Sequence, residues 1–362
     1  MIAISGANGF LGKHCKIYCR MNELKNVIFI DKKNYKNKKI IDGLKNCKTF
    51  IHLAGINRSK KKNLIEKNTK ILNYYLNILK NNKNLKKIIF TSSIHRKSKD
   101  DYGKSKLISE KELKNFCSNK KISLKIMILS NIFGEFCKPN YNSVTATISD
   151  HLIKNKKFII KKNKNLKLLY VKDVVTNLFA NISKNKTIEK DKYKTISVKN
   201  LYNKLSQYKK DYFNNVIPLF KDNFELYLFN TFRSYAFPNK IILRTKENID
   251  NRGSLWEILK SDKNAHLFVS TTKKNKVRGN HYHSKKIERF FILEGSALIK
   301  FRYIHDNKVY KMNINSKSKC SVDIPTYCTH SLTNRLNKKL ITVFFSNEIY
   351  NPNNSDTFYE KV

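Results

Sequence analysis

Tyr102 and Lys106 have the residue types and the spacing of a proton-transfer site. Residues four apart on a helix share a face, so the Lys106 ammonium would lie beside the Tyr102 phenol and lower its pKa. Ser93 stands nine residues before Tyr102, at the end of a strand-like run, and can donate a hydrogen bond to the same phenol oxygen. Such a trio can deliver a proton to a carbonyl oxygen while hydride reaches the carbon. The alternative is an exposed tyrosine and lysine on a solvated helix.

Four residues in the second half of the chain have the residue types and the spacing of a site for a first-row metal. His281 and His283 are two apart, so both would point to the same side of a strand. Glu288 and His330, from neighbouring strands, can complete the set of ligands. The pattern predicts a bound divalent metal, with zinc favoured. The alternative is an empty pocket of hydrogen-bonded core histidines.

The turn from Gly6 to Gly12, with the sequence G-A-N-G-F-L-G, follows the first strand-like run. Glycines there let the backbone approach a pyrophosphate, whose charge then lies on the free N–H groups at the start of a helix. The turn therefore predicts a dinucleotide cofactor, and the alternative is a purely structural turn. The residues predicted to contact the cofactor here are Gly6, Gly9, Phe10, Leu11 and Gly12.

The residues after the second and third strand-like runs bear on which nucleotide binds. Asp31 closes the second run, where a carboxylate would accept the adenosine ribose hydroxyls of NAD. Lys32 and Lys33 follow directly, and either can pair with the additional phosphate of NADP. Ala54 and Gly55 offer a small-residue site for the adenosine half. These signals conflict; the lysines favour NADP(H), with NAD(H) as the alternative.

Two different patterns of elements must position these side chains. In the first half, short apolar runs alternate with helix-period stretches, which predicts a Rossmann-type α/β domain with a parallel sheet. After about residue 250, short β-prone segments predict an all-β module, and Glu294-Gly295 can turn one hairpin. A polar stretch, residues 244–252, separates the two patterns and predicts domains at 1–243 and 244–362. The predicted strands are residues 1–5, 27–31, 49–53, 87–92 and 124–129, then 265–271, 288–293, 296–304, 308–314, 320–324 and 340–346.

Composition limits the remaining classes of protein. A length of 362 residues predicts two or three folded units. The net charge of +47 comes from lysines that alternate with asparagines along the whole chain, which favours a solvated surface over a nucleic-acid-binding face. Seven cysteines without a C-x-x-C pair predict reduced thiols. With no signal-like segment and no run of 18 apolar residues, we expect a cytoplasmic protein that binds neither membrane nor nucleic acid.

The glycine-rich turn together with Ser93 and the Tyr102/Lys106 pair resembles the extended short-chain dehydrogenase/reductase family, over roughly residues 1–243. This family contains nucleotide-sugar epimerases, dehydratases and reductases. The resemblance implies that Tyr102 and Lys106 also contact the cofactor and that the protein forms a homodimer through helix pairing. Further matches are Asn68, Asn131-Ile-Phe-Gly134 and Leu169-Tyr-Val-Lys-Asp173.

The histidine cluster resembles both motifs of the cupin family, a small β-barrel whose interior holds a metal. The second motif covers residues 325–334, and the family usually has glycine where Lys319 and Tyr327 stand. The segment from Asn251 to Glu257 resembles the opening of cupin-fold sugar 3,5-epimerases. The resemblance therefore implies an all-β cupin barrel after the parallel sheet.

The fusion of these two domains resembles bifunctional enzymes of capsule-polysaccharide synthesis. It implies a UDP-linked 2-acetamido-4-keto-6-deoxy-hexose substrate, with C3 epimerisation at the cupin and NADPH-dependent C4 reduction at Tyr102, towards UDP-N-acetyl-L-fucosamine. The C3 base is left open among Tyr282, Tyr327 and a hydroxide. The alternatives are a reductase with a structural or dimerising cupin and a basic nucleic-acid-binding protein. The residues expected to contact substrate are Asn131, Lys138, Tyr141 and Asn142.

Overall fold

The computed structural model describes residues 1–58, 63–183, 193–245, 247–250, 253–256, 258–261, 266–348, 351, 353 and 355–362. The chain forms two compact units, of which the first is Met1–Phe136 with Leu166–Thr195 and the second is Cys137–Asn165 with Ile196–Val362. These units are defined by packing, and the domain boundary expected between residues 243 and 244 stays a prediction. Within the described parts of the chain, no helix has the length and apolar character needed to cross a membrane.

The first unit is built on a parallel sheet. Its strand order is β2-β1-β3-β4-β5, and every pairing is parallel, which confirms the predicted Rossmann-type α/β domain. The carboxyl ends of the strands therefore meet at one edge, where ligands bind in such sheets. The elements in chain order are β1 (Ile2–Ser5), α1 (Phe10–Met21), β2 (Val27–Ile30), α2 (Lys38–Asn46), β3 (Thr49–His52), α3 (Leu64–Lys80), β4 (Lys87–Ser93), α4 (Asp101–Asn119), β5 (Ser123–Leu129) and β6 (Asn131–Phe133).

The helices of this unit cover the sheet with apolar side chains. In α3, apolar residues at three- and four-residue intervals place one face of the helix against the strands, as the sequence predicts. The core contains fully buried residues from strands and helices alike, and burial of this kind is the main favourable term in folding. Its members include Ala3, Ile30, Leu44, Phe50, Leu72, Leu79, Ile88 and Leu113.

The chain then passes through elements that belong partly to each unit before it enters the C-terminal strands. The helices α5, α7 and α8 lie in the second unit. The elements are α5 (Val144–Ile153), β7 (Asn165–Tyr170), α6 (Val171–Ser183), β8 (Lys194–Ser197), α7 (Val198–Phe213), β9 (Val216–Ile217), α8 (Asn223–Ser234), β10 (Ile242–Arg244), β11 (Glu247–Asp250), β12 (Gly253–Trp256) and β13 (Lys260–Ser261).

The C-terminal strands form two five-stranded sheets in which every pairing is antiparallel. The orders are β10-β19-β16-β21-β14 and β18-β17-β20-β15-β22, which confirms the predicted all-β region. Most of the predicted strands agree with the observed ones to within two residues. The strands are β14 (His266–Thr272), β15 (Val277–Tyr282), β16 (Glu288–Glu294), β17 (Ser296–Tyr303), β18 (Tyr310–Asn315), β19 (Cys320–Ile324), β20 (Cys328–Asn334), β21 (Leu340–Ser346) and β22 (Phe358–Tyr359).

The predicted hairpin at Glu294-Gly295 is wrong, because β16 and β17 belong to different sheets and Gly295, with φ of 90°, connects one sheet to the other. A glycine adopts this left-handed backbone without steric cost.

The resemblance to sugar 3,5-epimerases lies partly outside the described residues, since Asn251, Arg252 and Glu257 are not among them.

A buried ion-pair network joins α8 to β19, and β19 to β16, the strand that carries Glu288. Asp323 of β19 accepts hydrogen bonds from Arg233 of α8 and from Arg289 of β16, each at 2.9 Å. Burial alone would raise the pKa of Asp323. The two guanidinium groups lower it by more than burial raises it, so the net shift of this pKa is downward. Removing one member of such a network leaves an uncompensated buried charge, so loss of any of the three residues should destabilise the contacts between α8, β19 and β16.

Candidate active sites

The glycine-rich turn leaves an open cradle at the start of α1. A Cβ atom at Gly6, where φ is 75°, would lie 2.7 Å from Ala54 N, and one at Gly12 would collide with the Gly6 carbonyl oxygen. Both positions therefore require glycine. A Cβ at Gly9 would meet only the Gly6 carbonyl oxygen, at 3.1 Å, among the described residues. The turn packs tightly on its inner side and stays open on its outer side, which is the shape that a diphosphate needs.

Asp31 is tied to this turn by a residue that the sequence did not single out. Its Oδ1 accepts hydrogen bonds from the backbone N–H of Lys33, at 2.7 Å, and of Asn34, at 3.2 Å. Its Oδ2 accepts a bond from the Asn8 side-chain amide at 2.5 Å. Lys32 and Lys33 are exposed. The carboxylate is thus held next to the turn while the two lysines remain accessible to an anion.

Lys106 reaches the carboxyl edge of the sheet and lies close to the predicted cofactor residues. Its Nζ donates to the Thr91 carbonyl oxygen at 2.9 Å and lies 4.8 Å from the centre of the Phe90 ring. A Cβ at Gly55 would be 4.0 Å from the same nitrogen. Burial lowers the pKa of Lys106 to about 8, although the charge of Glu110 opposes the shift. The structure therefore brings Lys106 and the Ala54-Gly55 turn together.

Tyr102 is positioned by the way α4 begins. Asp100 caps the helix by accepting the Gly103 N–H at 2.7 Å, and a Cβ at Gly103 would collide with the carbonyl oxygen of His95. This close approach holds the first turn of α4 against His95 and Ser98, in the segment that follows β4. The Lys106 Nζ lies 5.8 Å from the centre of the Tyr102 ring, so the predicted pair shares one helix face.

Ser93 is buried at the end of β4, where its Oγ accepts the His95 N–H at 3.2 Å. A hydroxyl that accepts in this way keeps its own O–H free to donate. The predicted donation from Ser93 to Tyr102 stays a prediction.

Glu110 lies on the same face of α4 as Tyr102 and Lys106, and the sequence motifs did not single it out. Its carboxylate accepts a hydrogen bond from Ser92 Oγ at 2.5 Å and forms an ion pair with Arg96 at 2.7 Å. The signal was present, since Glu110 continues the four-residue spacing of Tyr102 and Lys106. It supplies a negative charge behind Lys106.

Asn68 fixes the turn that carries Gly55. Its Oδ1 accepts the Ile56 N–H at 2.7 Å, and its Nδ2 donates to the Ile56 carbonyl at 2.9 Å and to Ser105 Oγ at 3.2 Å. The side chain thus links the turn after β3 to α4. This accounts for the presence of an amide at the position singled out by the family resemblance.

The four residues expected to contact substrate are divided between the units. Asn131 lies in β6 of the first unit, and its side-chain amide donates to the Lys167 carbonyl at 3.5 Å. In the second unit, Lys138 and Asn142 are exposed, and the Lys138 Nζ lies 5.9 Å from the centre of the Tyr141 ring. The predicted contacts with substrate stay predictions.

The histidine cluster converges on one carboxylate oxygen. Glu288 Oε2 lies 3.0 Å from His330 Nε2, 3.3 Å from His283 Nε2 and 3.9 Å from His281 Nε2. Candidate ligand atoms of His281, Glu288 and His330 all lie within 4.8 Å of one another. The His281 side chain is 24% exposed, whereas those of His283 and His330 are 4% exposed, so the cluster opens on the His281 side.

The orientation of two imidazole rings fits a bound cation. His283 Nδ1 lies 2.8 Å from the Asp356 carbonyl oxygen, and His330 Nδ1 lies 3.4 Å from the Cys328 carbonyl oxygen. A ring nitrogen that faces a carbonyl must carry the proton, which leaves a lone pair on Nε2 of a neutral imidazole. These lone pairs face an acceptor, Glu288, so that a cation or additional protons must lie between them. This is the usual arrangement around metal-binding histidines.

Glu288 remains ionised in this environment. Burial by itself would raise its pKa, but the charges that His283 and His330 can carry lower it more, and the pKa lies well below its ordinary value. The cluster therefore offers a carboxylate oxygen and imidazole nitrogens, the donor set that suits zinc and other first-row metals.

The local backbone explains how the ligands meet. A Cβ at Gly279 would lie 2.6 Å from the His330 carbonyl oxygen, so glycine lets β15 approach β20 closely. The register shifts between Gly279 and His281, and β15 ends at Tyr282. The expectation that His281 and His283 share one strand is therefore wrong, since His283 lies just beyond β15, although both imidazoles face Glu288. Lys319 and Tyr327 have φ of 43° and 60°, the left-handed conformation that glycine adopts easily. The turn geometry implied by the family is kept without glycine.

A comparison of the sequence with known families places the chain in a class. Residues 2–196, just over half of the chain, match the NAD dependent epimerase/dehydratase family. The chain belongs to this family, which supports a nicotinamide cofactor. Residues 248–358 match the polysaccharide biosynthesis C-terminal domain.

Some similar proteins match this chain over nearly its whole length, including both of these regions. UDP-2-acetamido-2,6-beta-L-arabino-hexul-4-ose reductase of Pseudomonas aeruginosa is 25% identical over 364 residues, which cover 99% of this chain and 97% of the relative. The crystal structure of the capsular polysaccharide assembling protein CapF from Staphylococcus aureus is 28% identical, with a TM-score of 0.63 and coverage of 100% and 99%. A CapF structure with the inhibitor 3-isopropenyl-tropolone is 26% identical, with a TM-score of 0.60 and the same coverage. The resemblance to enzymes of capsule-polysaccharide synthesis that the sequence predicts is confirmed, and it extends to CapF over the full chain.

Proposed function

We propose that this chain is a bifunctional nucleotide-sugar enzyme of surface-polysaccharide synthesis. Its substrate would be a UDP-linked 2-acetamido-4-keto-6-deoxy-hexose, epimerised at C3 by the histidine cluster and reduced at C4 at the Tyr102 site, towards UDP-N-acetyl-L-fucosamine. The observation that carries the proposal is the convergence of three imidazoles on Glu288 in a chain that also pairs Tyr102 with Lys106. The name of the Pseudomonas relative supports the substrate class.

In the reduction, NADPH when bound supplies hydride to C4. The N–H groups of the glycine-rich turn would bind its diphosphate, and Asp31, Lys32 and Lys33 would contact the adenosine ribose and its 2′-phosphate. Tyr102 donates its phenol proton to the C4 oxygen as negative charge develops there. The Lys106 ammonium stabilises the phenolate left behind, and the Ser93 hydroxyl donates a hydrogen bond to the same phenolate oxygen. With a pKa of about 8, Lys106 is mostly charged at neutral pH.

In the epimerisation, we infer that His281, His283, Glu288 and His330 hold a divalent metal, with zinc favoured. The metal when bound supplies Lewis acidity that stabilises negative charge on the C4 oxygen while the C3 proton is absent. The exposed side of His281 leaves room for the sugar. Tyr282 and Tyr327 are only 2% and 1% exposed, which argues against either as the C3 base.

We also propose that the two C-terminal sheets are the walls of a cupin barrel. Two of the expected ligands, His281 and His330, come from strands of one sheet, and Glu288 comes from a strand of the other. Side chains from two sheets meet in this way when both inner faces line one interior. The short distances from Glu288 to the histidines support the assignment.

A second candidate keeps the reductase and gives the C-terminal sheets a structural or dimerising role. It is favoured by β14, an edge strand on which Leu267 and Val269 are 59% and 62% exposed. An edge strand with exposed apolar residues is a template for pairing with another chain. In a homodimer formed at this edge, the C-terminal sheets would serve dimerisation and would carry out no catalysis.

Deuterium exchange distinguishes the two candidates. The protein is incubated with the 4-keto sugar nucleotide in deuterated water, with and without NADPH and with and without metal chelation, and C3 is followed by NMR. We expect deuterium at C3 without NADPH, loss of this exchange in metal-free protein, and continued NADPH oxidation when an already epimerised 4-keto sugar is supplied. Full C3 exchange in folded, metal-free protein would reject the metal-assisted epimerase.

A further inference from the structure

We propose that the C-terminal segment, residues 355–362, is part of the histidine site and that Asp356 is its positioning residue. This inference rests on the proposed metal-binding function of His281, His283, Glu288 and His330. Asp356 is far from these residues in sequence and has no recognisable motif around it. The structure nevertheless connects it directly to the two sides of the site.

The first connection is the turn between two ligands. Residues 284–287 join His283 to Glu288, and the Asp356 carboxylate accepts hydrogen bonds from the backbone N–H groups of Ser284, Lys285 and Lys286 at 3.1, 2.9 and 2.8 Å. It also accepts a bond from the Ser284 hydroxyl at 2.5 Å. Successive N–H groups that point at one centre form an anion-binding concavity. Here the anion is the chain's own carboxylate, and it sets the path from one ligand to the next.

The second connection is the imidazole ring of His283. The carbonyl oxygen of Asp356 lies 2.8 Å from His283 Nδ1, while Nε2 of the same ring lies 3.3 Å from Glu288 Oε2. The carbonyl therefore selects the tautomer in which Nε2 carries the lone pair, and it fixes the plane of the ring. One residue thus holds both the backbone after His283 and the ring itself.

Asp356 can do this because the segment around it is anchored. Its φ of 44° turns the chain back towards the site. Beyond it, β22 pairs with β15, so that Tyr359 lies opposite His281 and Phe358 stacks on Tyr282 with ring centres 5.2 Å apart. Glu360 forms an ion pair with Arg302 at 2.8 Å. The tail is therefore fixed to the strand that carries His281, and Asp356 acts on the site through His283 and the turn after it.

The test is the affinity of the full-length protein for Co²⁺, measured by competition with a chromophoric chelator, together with the visible spectrum of bound Co²⁺. We expect Asp356→Asn to weaken Co²⁺ binding about 10- to 100-fold, the usual effect of losing a partner that orients a ligand, and to alter the spectrum. Asparagine tolerates the left-handed backbone, so strain at φ of 44° is not introduced. Ser284→Ala, which removes only one of the four hydrogen bonds, should have a smaller effect in the same direction.

The matched control is Glu360→Gln, which removes a charge from the same tail but keeps a side-chain oxygen that can accept from Arg302. The pairing of β22 with β15, the bond from the Thr329 hydroxyl to the Glu360 carbonyl and the bond from Arg302 to the Lys361 carbonyl still anchor the tail, so the Asp356 contacts stay intact. It should keep wild-type Co²⁺ affinity and spectrum. Folded Asp356→Asn protein with wild-type affinity and spectrum would overturn the inference, as would an equal loss in the control. If Asp356→Asn does not fold, wild-type binding by Ser284→Ala overturns it instead. Absence of Co²⁺ binding by the wild-type protein would overturn the proposed metal site and this inference with it.

Discussion

The Tyr102 site and the histidine cluster differ in how their residues are gathered. Tyr102, Lys106 and Glu110 follow one another at four-residue intervals on α4, and Ser93 ends the strand just before that helix. The histidine cluster instead takes His281, Glu288 and His330 from three strands in two sheets. A site built on one helix depends on local structure, whereas a site built between sheets depends on the whole packing of its unit. The second should be the more sensitive to distant substitutions.

Burial also acts differently in the two sites. At Lys106 it is the dominant influence and lowers the pKa to about 8, so the charged form is weakened. At Glu288 the neighbouring histidines outweigh burial, and the charged form is stabilised. The first site is thus suited to moving a proton near neutral pH, and the second to holding a fixed negative charge against a cation.

The comparison is tested most strongly by removing the proton donor of the first site. Tyr102→Phe keeps the ring and loses the hydroxyl, so NADPH-dependent reduction should fall by about 10²- to 10⁴-fold, the contribution of a positioned acid. C3 deuterium exchange should persist, because it is assigned to residues of the other site. The measurements are NADPH absorbance and NMR on the same preparation. Near-normal NADPH oxidation by the variant would remove Tyr102 from the mechanism.

The reciprocal change is His283→Ala in the second site. With one of four ligands lost, C3 exchange should fall by about 10²- to 10³-fold, the scale of losing one group that stabilises an oxyanion. Reduction of an already epimerised 4-keto sugar should continue nearly unchanged. Metal analysis and a melting curve serve as controls, because loss of metal can also destabilise the unit that it holds together. If both activities fell together, the two sites would not be separable in the way proposed.

The same contrast explains how much of the molecule could be predicted from its sequence. The parallel strands and the Tyr102/Lys106 pair are encoded by spacing over a few residues, and the structure places them as expected. The metal-binding histidines are predicted from residue types and from the two-residue spacing of His281 and His283. The register shift before His281 is not predicted, because it depends on the contact of Gly279 with β20. Local spacing cannot reveal which strand becomes the neighbour of another.

The wrong hairpin prediction at Glu294-Gly295 and the absence of Asp356 from the predicted site have the same cause. Glu294-Gly295 has the composition of a hairpin turn, yet it connects strands of different sheets, since the partners of β16 are β19 and β21. Asp356 was overlooked because its partners, residues 283–286, lie about 70 positions earlier in the chain. Only the folded chain brings these groups within hydrogen-bonding distance.

The smallest expected effect concerns the choice of nucleotide in the first site. Asp31 is held by Asn8 and by its own turn, while Lys32 and Lys33 are exposed, so only the lysines are free to meet the 2′-phosphate of NADPH. Exposed ion pairs contribute about 0.2 to 1 kcal/mol each, which amounts to a few-fold in affinity. Lys32→Ala with Lys33→Ala should therefore reduce a modest NADPH preference towards parity, with kcat unchanged at saturation. Competition kinetics with both nucleotides at low and high salt measure this, and the preference should shrink with salt in the wild type alone. A wild-type preference for NADH would mean that repulsion by Asp31 outweighs both lysines.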